Sequence, residues 1–398
     1  MKKEYLHLTE QQIESLKKND CWAQDWNDIM ATSDFDVKRC HRVQFYGWAR
    51  LGSSEGTIEI TEGFVKNCGI YNATLRNVTI GDGCLIENIG NYLNKVNIGD
   101  GCYISNVSTI DTHGEPNYGQ GHNIAVLNEV GHGNLLLLNE LNSQLAALMV
   151  KHGDNKPLMD AIKRMVEQSV AASRPECSTI GNHVRVVNTG VIINSIIDDG
   201  CQICGVSRLS NCTICSSMKN PIVIRTGVIC ENTIISSGSR LNGSVKLTDC
   251  FVGESCHLEN GFTAASSVFF ANSYMSNGEA CAAFCGLARL RVHPIRPKTI
   301  GIVVVDQSHA GIDQRLARIL RTYRGGTHLK RQASGKRRHN EIEFRCFHNS
   351  VCHVIRRTWF NATVNSREEA RRTMRSLRNS VRTASRSNRC PPARPSAP

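Results

Sequence analysis

The sequence lacks the short motifs that build nucleotide or dinucleotide sites into a chain. It has no Walker A motif, and no Gly-x-Gly-x-x-Gly follows a strand pattern. A Ser nucleophile elbow is absent as well. We therefore assign no cofactor. An acyl-coenzyme A donor bound between subunits would leave no local motif and stays open as a donor substrate.

Long apolar segments are also missing. The first residues, Met1 to Glu4, lead into polar sequence without the apolar core of a signal peptide. No run approaches the length of a membrane span. We expect no membrane partner and a cytoplasmic location, where the 18 cysteines would be reduced thiols.

Charge is distributed very unevenly along the 398 residues. Residues 287–398 carry 22 Arg, 3 Lys and 6 acidic residues, a net charge of +19, which leaves −7 of the total +12 for residues 1–286. The basic segment is either disordered or the product of a shifted reading frame. Alternatively, it is a basic arm that binds nucleic acid through phosphate groups. Nucleic acid is a partner only if this segment is native.

What the chain does contain is a repeat. Residues 80–84 read Ile-Gly-Asp-Gly-Cys, and residues 98–102 repeat the string 18 positions later. Further on the spacing shortens to 17, from Ile180 to Ile197 to Ile214. This period predicts a hexapeptide-type β-solenoid, in which Ile points into the core, Gly-Asp-Gly forms the corner, and Cys is the small residue that fits there.

The repeat and its interruptions divide the chain into five segments. We predict an N-terminal helical cap and lead-in (1–66), a first β-helix block with a loop (67–133), a helical insert (134–176), a second β-helix block (177–286) and the Arg-rich tail (287–398). The cap is predicted as helix over residues 5–31. Thr9 and Gln12 have capping-box spacing there, and Trp22 and Trp26 lie four apart.

Two Cys-x2-Cys pairs, at 201/204 and 212/215, suggest a zinc ribbon. Positions three apart in a strand point to opposite faces, so such a pair does not converge on a metal unless it lies on a turn. The gap between the pairs is also short. We interpret these residues as structural thiols and predict no metal site.

Histidines are the better candidates for chemistry. His113, His122 and His132 fall in the Gly- and Asn-rich stretch where the repeat is interrupted, near Glu129. Loops on a rigid scaffold often carry sites. His183 and His257 lie at or beside corners of the repeat. Each of these histidines has an alternative interpretation as an ordinary solvated residue.

Several strings also resemble a known family. They include residues 77–89, 125–129, 180–184, 235–239, 250–253 and 277–281. They resemble a bacterial left-handed β-helix family known as domain of unknown function 4954, in the trimeric hexapeptide-acyltransferase-like superfamily, over about residues 1–286. The resemblance implies a left-handed parallel β-helix, a homotrimer and a connection with sugars or nucleotide sugars. The chain departs from the family pattern after residue 286.

The combined hypothesis is a mainly β protein, a left-handed parallel β-helix with a helical cap and a two-helix insert, that transfers an acyl group to a sugar or nucleotide sugar. In the acyltransferases that the architecture resembles, a His serves as general base. The predicted catalytic residues are His122, His257 and Glu129, and the predicted substrate-binding residues are Asn128, His183 and His132. The alternatives are a non-catalytic scaffold or ligand-binding solenoid, and a nucleic-acid binder acting through the tail.

Overall fold

The computed structural model describes residues 3–127 and 134–286. The chain divides into two units, Met1–Val304 and Val305–Pro398, and every described residue belongs to the first. The Arg-rich segment 287–398 lies outside the described residues, and so do all interpretations of it.

The described part of the chain is mainly β. Its first strands are β1 Leu6–His7, β2 Trp22–Ala23, β3 Ile29–Ala31, β4 Cys40–Leu51, β5 Thr57–Thr61, β6 Phe64–Asn67, β7 Gly69–Ile80, β8 Leu85–Ile98, β9 Tyr103–Asp111, β10 Asn123–Ala125 and β11 Asn134–Leu136. The later strands are β12 Ser178–Ile180, β13 Arg185–Ile193, β14 Ile196–Ile197, β15 Gln202–Cys204, β16 Arg208–Ser210, β17 Thr213–Cys215, β18 Val223–Ile224, β19 Ile229–Glu231, β20 Ile234–Ser236, β21 Arg240–Asn242, β22 Lys246–Val252, β23 His257–Glu259, β24 Thr263–Phe269, β25 Tyr274–Ser276, β26 Glu279–Cys281 and β27 Phe284–Cys285. The α-helices are α1 Glu10–Lys18, α2 Ser143–Lys151 and α3 Lys156–Ser173.

The repeat spacing is the offset between hydrogen-bonded strands. Ile80 pairs with Ile98, Ile98 with Ile180, and Ile180 with Ile197, all in parallel register. These side chains are buried in one continuous core. For the first and last of these pairs the register follows directly from the 18- and 17-residue spacing, because a residue that points inward must lie beside another that does the same. Ile98 and Ile180 are 82 residues apart in the sequence, because the insert lies between them.

The predicted fold class is nevertheless wrong. The main sheet has 23 strands, while β5–β6 and β10–β11 form two separate two-stranded sheets. Within the structure ten parallel strands close into an all-parallel barrel, so the fold is a mainly β barrel and not a left-handed β-helix of the hexapeptide type. A sequence period determines which residues pair in neighbouring strands. It does not determine how the whole sheet closes, and the left hand was inferred only from resemblance.

The corners explain the Ile-Gly-Asp-Gly-Cys string. A Cβ added to Gly81 would lie 2.5 Å from the backbone of Gly99, so no larger residue fits between these two strands. The backbone N–H of Asp82 donates to Asp100 Oδ1 at 2.8 Å. The buried Cys84 thiol donates to the Gly99 carbonyl at 3.1 Å. Each residue of the string therefore has a structural role at the turn.

The N-terminal helix is shorter than predicted. The capping box at Thr9 is confirmed, with Gln12 as its partner, but α1 ends at Lys18. Asp20 has a φ of +59°, which no helix interior accommodates. The chain then joins the sheet, where Trp22 pairs with Gln44 in β4. The prediction of helix over residues 5–31 failed because Trp22 lies in a strand and Trp26 begins a short 3-10 helix, Trp26–Asp28.

The segment between β9 and β12 leaves the main sheet and packs back on it. Its strands β10 and β11 form an antiparallel pair, and α2 and α3 follow. Apolar side chains of this segment, including Leu135 and Val166, share a core with Ile234, Phe251 and Val268 of the main sheet. The insert is thereby fixed against the strands of the second half of the chain.

Candidate functional site

A row of polar side chains runs across neighbouring strands of the sheet, where the insert crosses it. Asn211, Asn232 and Asp249 all adopt positive φ at equivalent positions of the repeat, a conformation that Asn and Asp tolerate better than most residues. The Asn211 side-chain amide donates to Asn232 Oδ1 at 2.7 Å. The Asn232 amide in turn donates to Asp249 Oδ1 at 2.8 Å. The row thus orients the Asp249 carboxylate.

The chain passes over this row immediately after β9. Thr213 Oγ1 donates to the Tyr118 carbonyl at 2.6 Å and anchors the passing segment. At Gly119 the φ is +78°, and an added Cβ would lie 2.8 Å from the Asn211 carbonyl oxygen. Only glycine allows an approach this close. Three residues later the segment presents His122.

His122 and Asp249 form the central contact of the site. His122 Nε2 lies 2.9 Å from Asp249 Oδ1, and the two side chains are 36% and 27% exposed. The backbone carbonyl of His122 accepts a hydrogen bond from the Leu137 N–H, and this bond holds the backbone of His122 in place. The imidazole is therefore fixed by the fold, and it remains open to solvent.

This geometry gives the imidazole a defined chemical role. When Nε2–H donates to Asp249, the proton is on Nε2 and the lone pair is on Nδ1. Nδ1 can then accept a proton from a bound hydroxyl or amine, and the carboxylate stabilises the imidazolium that forms. A base held in one tautomer by a carboxylate is the arrangement that general base catalysis requires.

Three of the predicted site residues, Asn128, Glu129 and His132, lie outside the described residues. The other predicted histidines are described, and neither joins His122. His183 is an exposed residue at a turn with a φ of +53°, and its ring packs over Gly101.

His257 lies on β23, where it pairs with Arg240 on one side and Tyr274 on the other. Its ring centroid is 6.4 Å from that of Tyr274. The ring makes no hydrogen bond or ion pair with any residue in the described ranges. His257 therefore lacks the carboxylate partner that His122 has.

Sequence reasoning missed Asp249. The residue lies 17 positions after Asn232, which marks it as a turn of the repeat. Nothing in the sequence connects it with His122, because the two come together only when the insert folds back across the sheet. A partner search based on local spacing does not find such a pair.

Of the four paired cysteines, Cys201 and Cys212 are buried, and Cys204 and Cys215 are half-buried. Burial raises the pKa of the Cys212 and Cys215 thiols to about 12, and it raises that of Cys201 further. Thiols this weakly acidic stay protonated at neutral pH, whereas a metal ligand must be a thiolate. Within residues 3–127 and 134–286, no three His, Cys, Asp or Glu side chains converge as a metal-ion site would require.

Among the helices that the structure describes, none combines the length and apolar character needed to cross a membrane.

Comparisons with known proteins identify relatives without assigning an activity. A family model described as Domain of unknown function (DUF4954) matches residues 5–295. An uncharacterized protein of Treponema pallidum (strain Nichols) is 25% identical over 232 residues. That match covers 56% of this chain and 32% of the relative, so the chain spans about a third of the relative's length.

Proposed function

This chain belongs to the family described as Domain of unknown function (DUF4954), and we propose that it is an acyltransferase-like enzyme that acts on a sugar or nucleotide sugar. His122 is the general base, and Asp249 positions it. The observation that supports the proposal is the 2.9 Å contact between His122 Nε2 and Asp249 Oδ1. With Nε2–H donated to Asp249, Nδ1 of this partly exposed imidazole is left to accept a proton.

The proposed step uses acyl-coenzyme A as the donor. The acceptor hydroxyl or amine loses its proton to His122 Nδ1 while its oxygen or nitrogen attacks the thioester carbonyl carbon. The C–S bond then breaks, and the departing thiolate takes the proton from the imidazolium to leave as free coenzyme A. Asp249 stays ionised throughout, so the base returns to its starting state.

The same base could activate water, which would make the protein a thioesterase. The two activities differ in whether coenzyme A release depends on an acceptor. The non-catalytic alternative, a scaffold or ligand-binding protein, releases no coenzyme A in either case.

The test incubates the purified full chain with acetyl-coenzyme A and a panel of amino sugars and nucleotide amino sugars. Coenzyme A is measured by chromatography, because the many cysteines would react with thiol reagents. We expect acceptor-dependent release that falls by about 10²–10⁴-fold in His122→Ala, the usual contribution of a general base. Equal turnover in His122→Ala would remove the base assignment, and acceptor-independent release would point to hydrolysis.

His41→Ala is the matched control. His41 stacks on Tyr71 in the first half of the sheet, and its Nε2 lies 2.8 Å from the Lys38 carbonyl oxygen. It shares no contact with His122. Circular dichroism and a thermal melt of both variants separate loss of chemistry from loss of fold. His257→Ala decides between the two histidines that the sequence offered.

Two further parts of the proposal concern the setting of the enzyme. We place it in the cytoplasm, which is supported by the free thiols among the described residues, since an oxidising compartment favours disulfides. We also propose a homotrimer, which rests on the family resemblance. Light scattering coupled to size-exclusion chromatography measures the oligomeric state directly.

A further inference from the structure

Three exposed aromatic side chains occupy one outer face of the first strands. Trp22, Tyr46 and Tyr92 are 48%, 38% and 40% exposed. Trp22 pairs with Gln44, two residues before Tyr46, so the two rings lie on the same side of the sheet. Their centroids are 5.1 Å apart. Large aromatic rings are mostly buried in folded proteins, so a cluster of exposed ones is informative.

The same face continues across three more strands through polar residues. Tyr46 pairs with Arg76 in β7, Arg76 with Asn94 in β8, and Asn94 with Asp111 in β9. Tyr92 lies two residues before Asn94 and so faces the same way. We call this surface the aromatic face: Trp22, Tyr46, Arg76, Tyr92, Asn94 and Asp111.

Asp111 organises the polar end of the aromatic face. Its Oδ1 accepts from the Asn94 amide at 2.7 Å, and its Oδ2 accepts from the Tyr92 hydroxyl at 3.3 Å. His113 Nδ1 lies 3.5 Å from the same Oδ2. The Asp111 charge also raises the pKa of the Tyr92 phenol. These contacts fix the Tyr92 ring while leaving it exposed.

The charged group between the rings is Arg76. The exposed Arg76 side chain makes no hydrogen bond or ion pair with any residue that the structure describes. A guanidinium between aromatic rings, without a protein carboxylate of its own, is complementary to an anionic ligand.

We propose that the aromatic face binds an acidic sugar, a pyranose ring that carries a carboxylate or a phosphate. A pyranose has an apolar C–H face and a rim of hydroxyls. Trp22 and Tyr46 cover the C–H face. Arg76, which lies beside Tyr46 on the next strand, pairs with the anionic group. The inference is independent of the chemistry assigned to His122.

A protein partner fits the face less well. The centres of protein interfaces are depleted in charged residues, whereas Arg76 and Asp111 lie among the rings. A peptide bound to the face would also need an acidic side chain to match the charge of Arg76. An acidic sugar matches the rings of Trp22 and Tyr46 together with the guanidinium of Arg76.

The experiment measures binding of three probes to the full chain by isothermal titration calorimetry. The probes are hexagalacturonate, which supplies carboxylates, glucose 1-phosphate, which supplies a phosphate, and neutral cellohexaose. We expect one of the two acidic probes to bind more tightly than cellohexaose. Whether that probe is hexagalacturonate or glucose 1-phosphate shows whether the face prefers a carboxylate or a phosphate. Trp22→Ala and Tyr46→Ala should each weaken that binding by about tenfold, the scale of one aromatic contact.

Arg76→Gln tests the anionic part separately. It should remove most of the preference for the acidic probe and leave the weaker cellohexaose affinity unchanged. Trp48→Ala is the matched control, because Trp48 is 39% exposed but lies past the Gly47 turn, under the Arg50 guanidinium. It should change none of the affinities.

Three results would overturn the proposal. The first is no binding of either acidic probe at millimolar concentration. The second is acidic binding that survives in both Trp22→Ala and Tyr46→Ala. The third is self-association of the chain that Trp22→Ala abolishes without any sugar binding, which would make the face an interface between copies. A thermal melt confirms that each variant remains folded.

Discussion

Two rows of stacked bends in the sheet, called here the first edge and the second edge, differ in the side chain that faces their carboxylates. At the first edge Lys3 Nζ lies 2.8 Å from Asp82 Oδ2 and 2.6 Å from Asp100 Oδ1. At the second edge Asp249 meets His122. A lysine is a permanent cation at neutral pH, whereas an imidazole gains and loses its proton there. The first edge is suited to holding the fold together, and the second to moving a proton.

The largest effect is expected from Gly119→Ala at the second edge. The new Cβ would force positive φ on alanine and lie 2.8 Å from the Asn211 carbonyl oxygen. We expect a loss of about 1–3 kcal/mol in the free energy of unfolding, and displacement of His122 with a matching loss of turnover. Urea denaturation measures the free energy of unfolding.

Gly114→Ala is the control, since an added Cβ there meets nothing within 4 Å and Gly114 also has positive φ. Equal losses in the two variants would mean that the close approach at Gly119 is not what matters.

Asp249→Asn isolates the positioning role at the same edge. An amide has nearly the shape of the carboxylate, but it cannot stabilise an imidazolium. We expect turnover to fall by about 10–100-fold, as for other residues that orient a reacting group. Turnover of Asp249→Asn equal to that of the unchanged protein would contradict this role for Asp249.

A second histidine in the insert predicts an acid sensitivity. Burial, together with the charge of Lys151, lowers the pKa of His152 in the folded protein. In the unfolded chain the pKa of this histidine is about 6.5, so the unfolded chain takes up the proton at a higher pH than the folded protein does. Stability should be fully present above that pH and decline as the pH falls through it. Urea midpoints at pH 7.5 and 5.5 measure the decline, and His152→Gln should reduce it. His41→Gln should leave it unchanged.

The smallest effect is expected from Lys3→Met at the first edge. Its ion pairs are partly exposed, at 32% for Lys3 and 43% and 49% for the two carboxylates. Exposed pairs contribute about 0–1 kcal/mol, and salt screens them. The loss of stability should therefore shrink at high ionic strength while turnover stays constant. Lys219→Met, at an exposed lysine, supplies the comparison. A loss of turnover in Lys3→Met would undo the contrast between the edges.

The strand register could be predicted from the sequence, and the closure of the sheet could not. Ile80 pairs with Ile98 and Ile180 with Ile197, as the repeat spacing predicts, because burial forces equivalent residues side by side. Closure of the barrel depends on the twist and tilt of all its strands together, and a local sequence period carries no information about these. The His122 candidate came from an interruption of the repeat. Its partner Asp249 could not be predicted, since their contact forms only through the tertiary packing of the insert.

The aromatic face was missed for a related reason. Trp22 and Trp26 were assigned to a helix from their four-residue spacing. In the structure the turn at Asp20 ends that helix and places Trp22 in β2, beside Tyr46. The four-residue spacing fits a helix, but Trp22 is a strand residue, and its neighbour Tyr46 comes from elsewhere in the chain.

The ladder of turn residues has a consequence for how the chain can change length. Each turn side chain along the second edge bonds mainly to its immediate neighbours, as Asn232 does to Asn211 and Asp249. One added repeat beyond Tyr274 would leave His122 and Asp249 in contact. The same repeat inserted between Asn232 and Asp249 would shift the carboxylate by one strand spacing, about 4.8 Å, and separate the pair. Repeats can therefore be gained or lost after the pair, but not between Asn232 and Asp249.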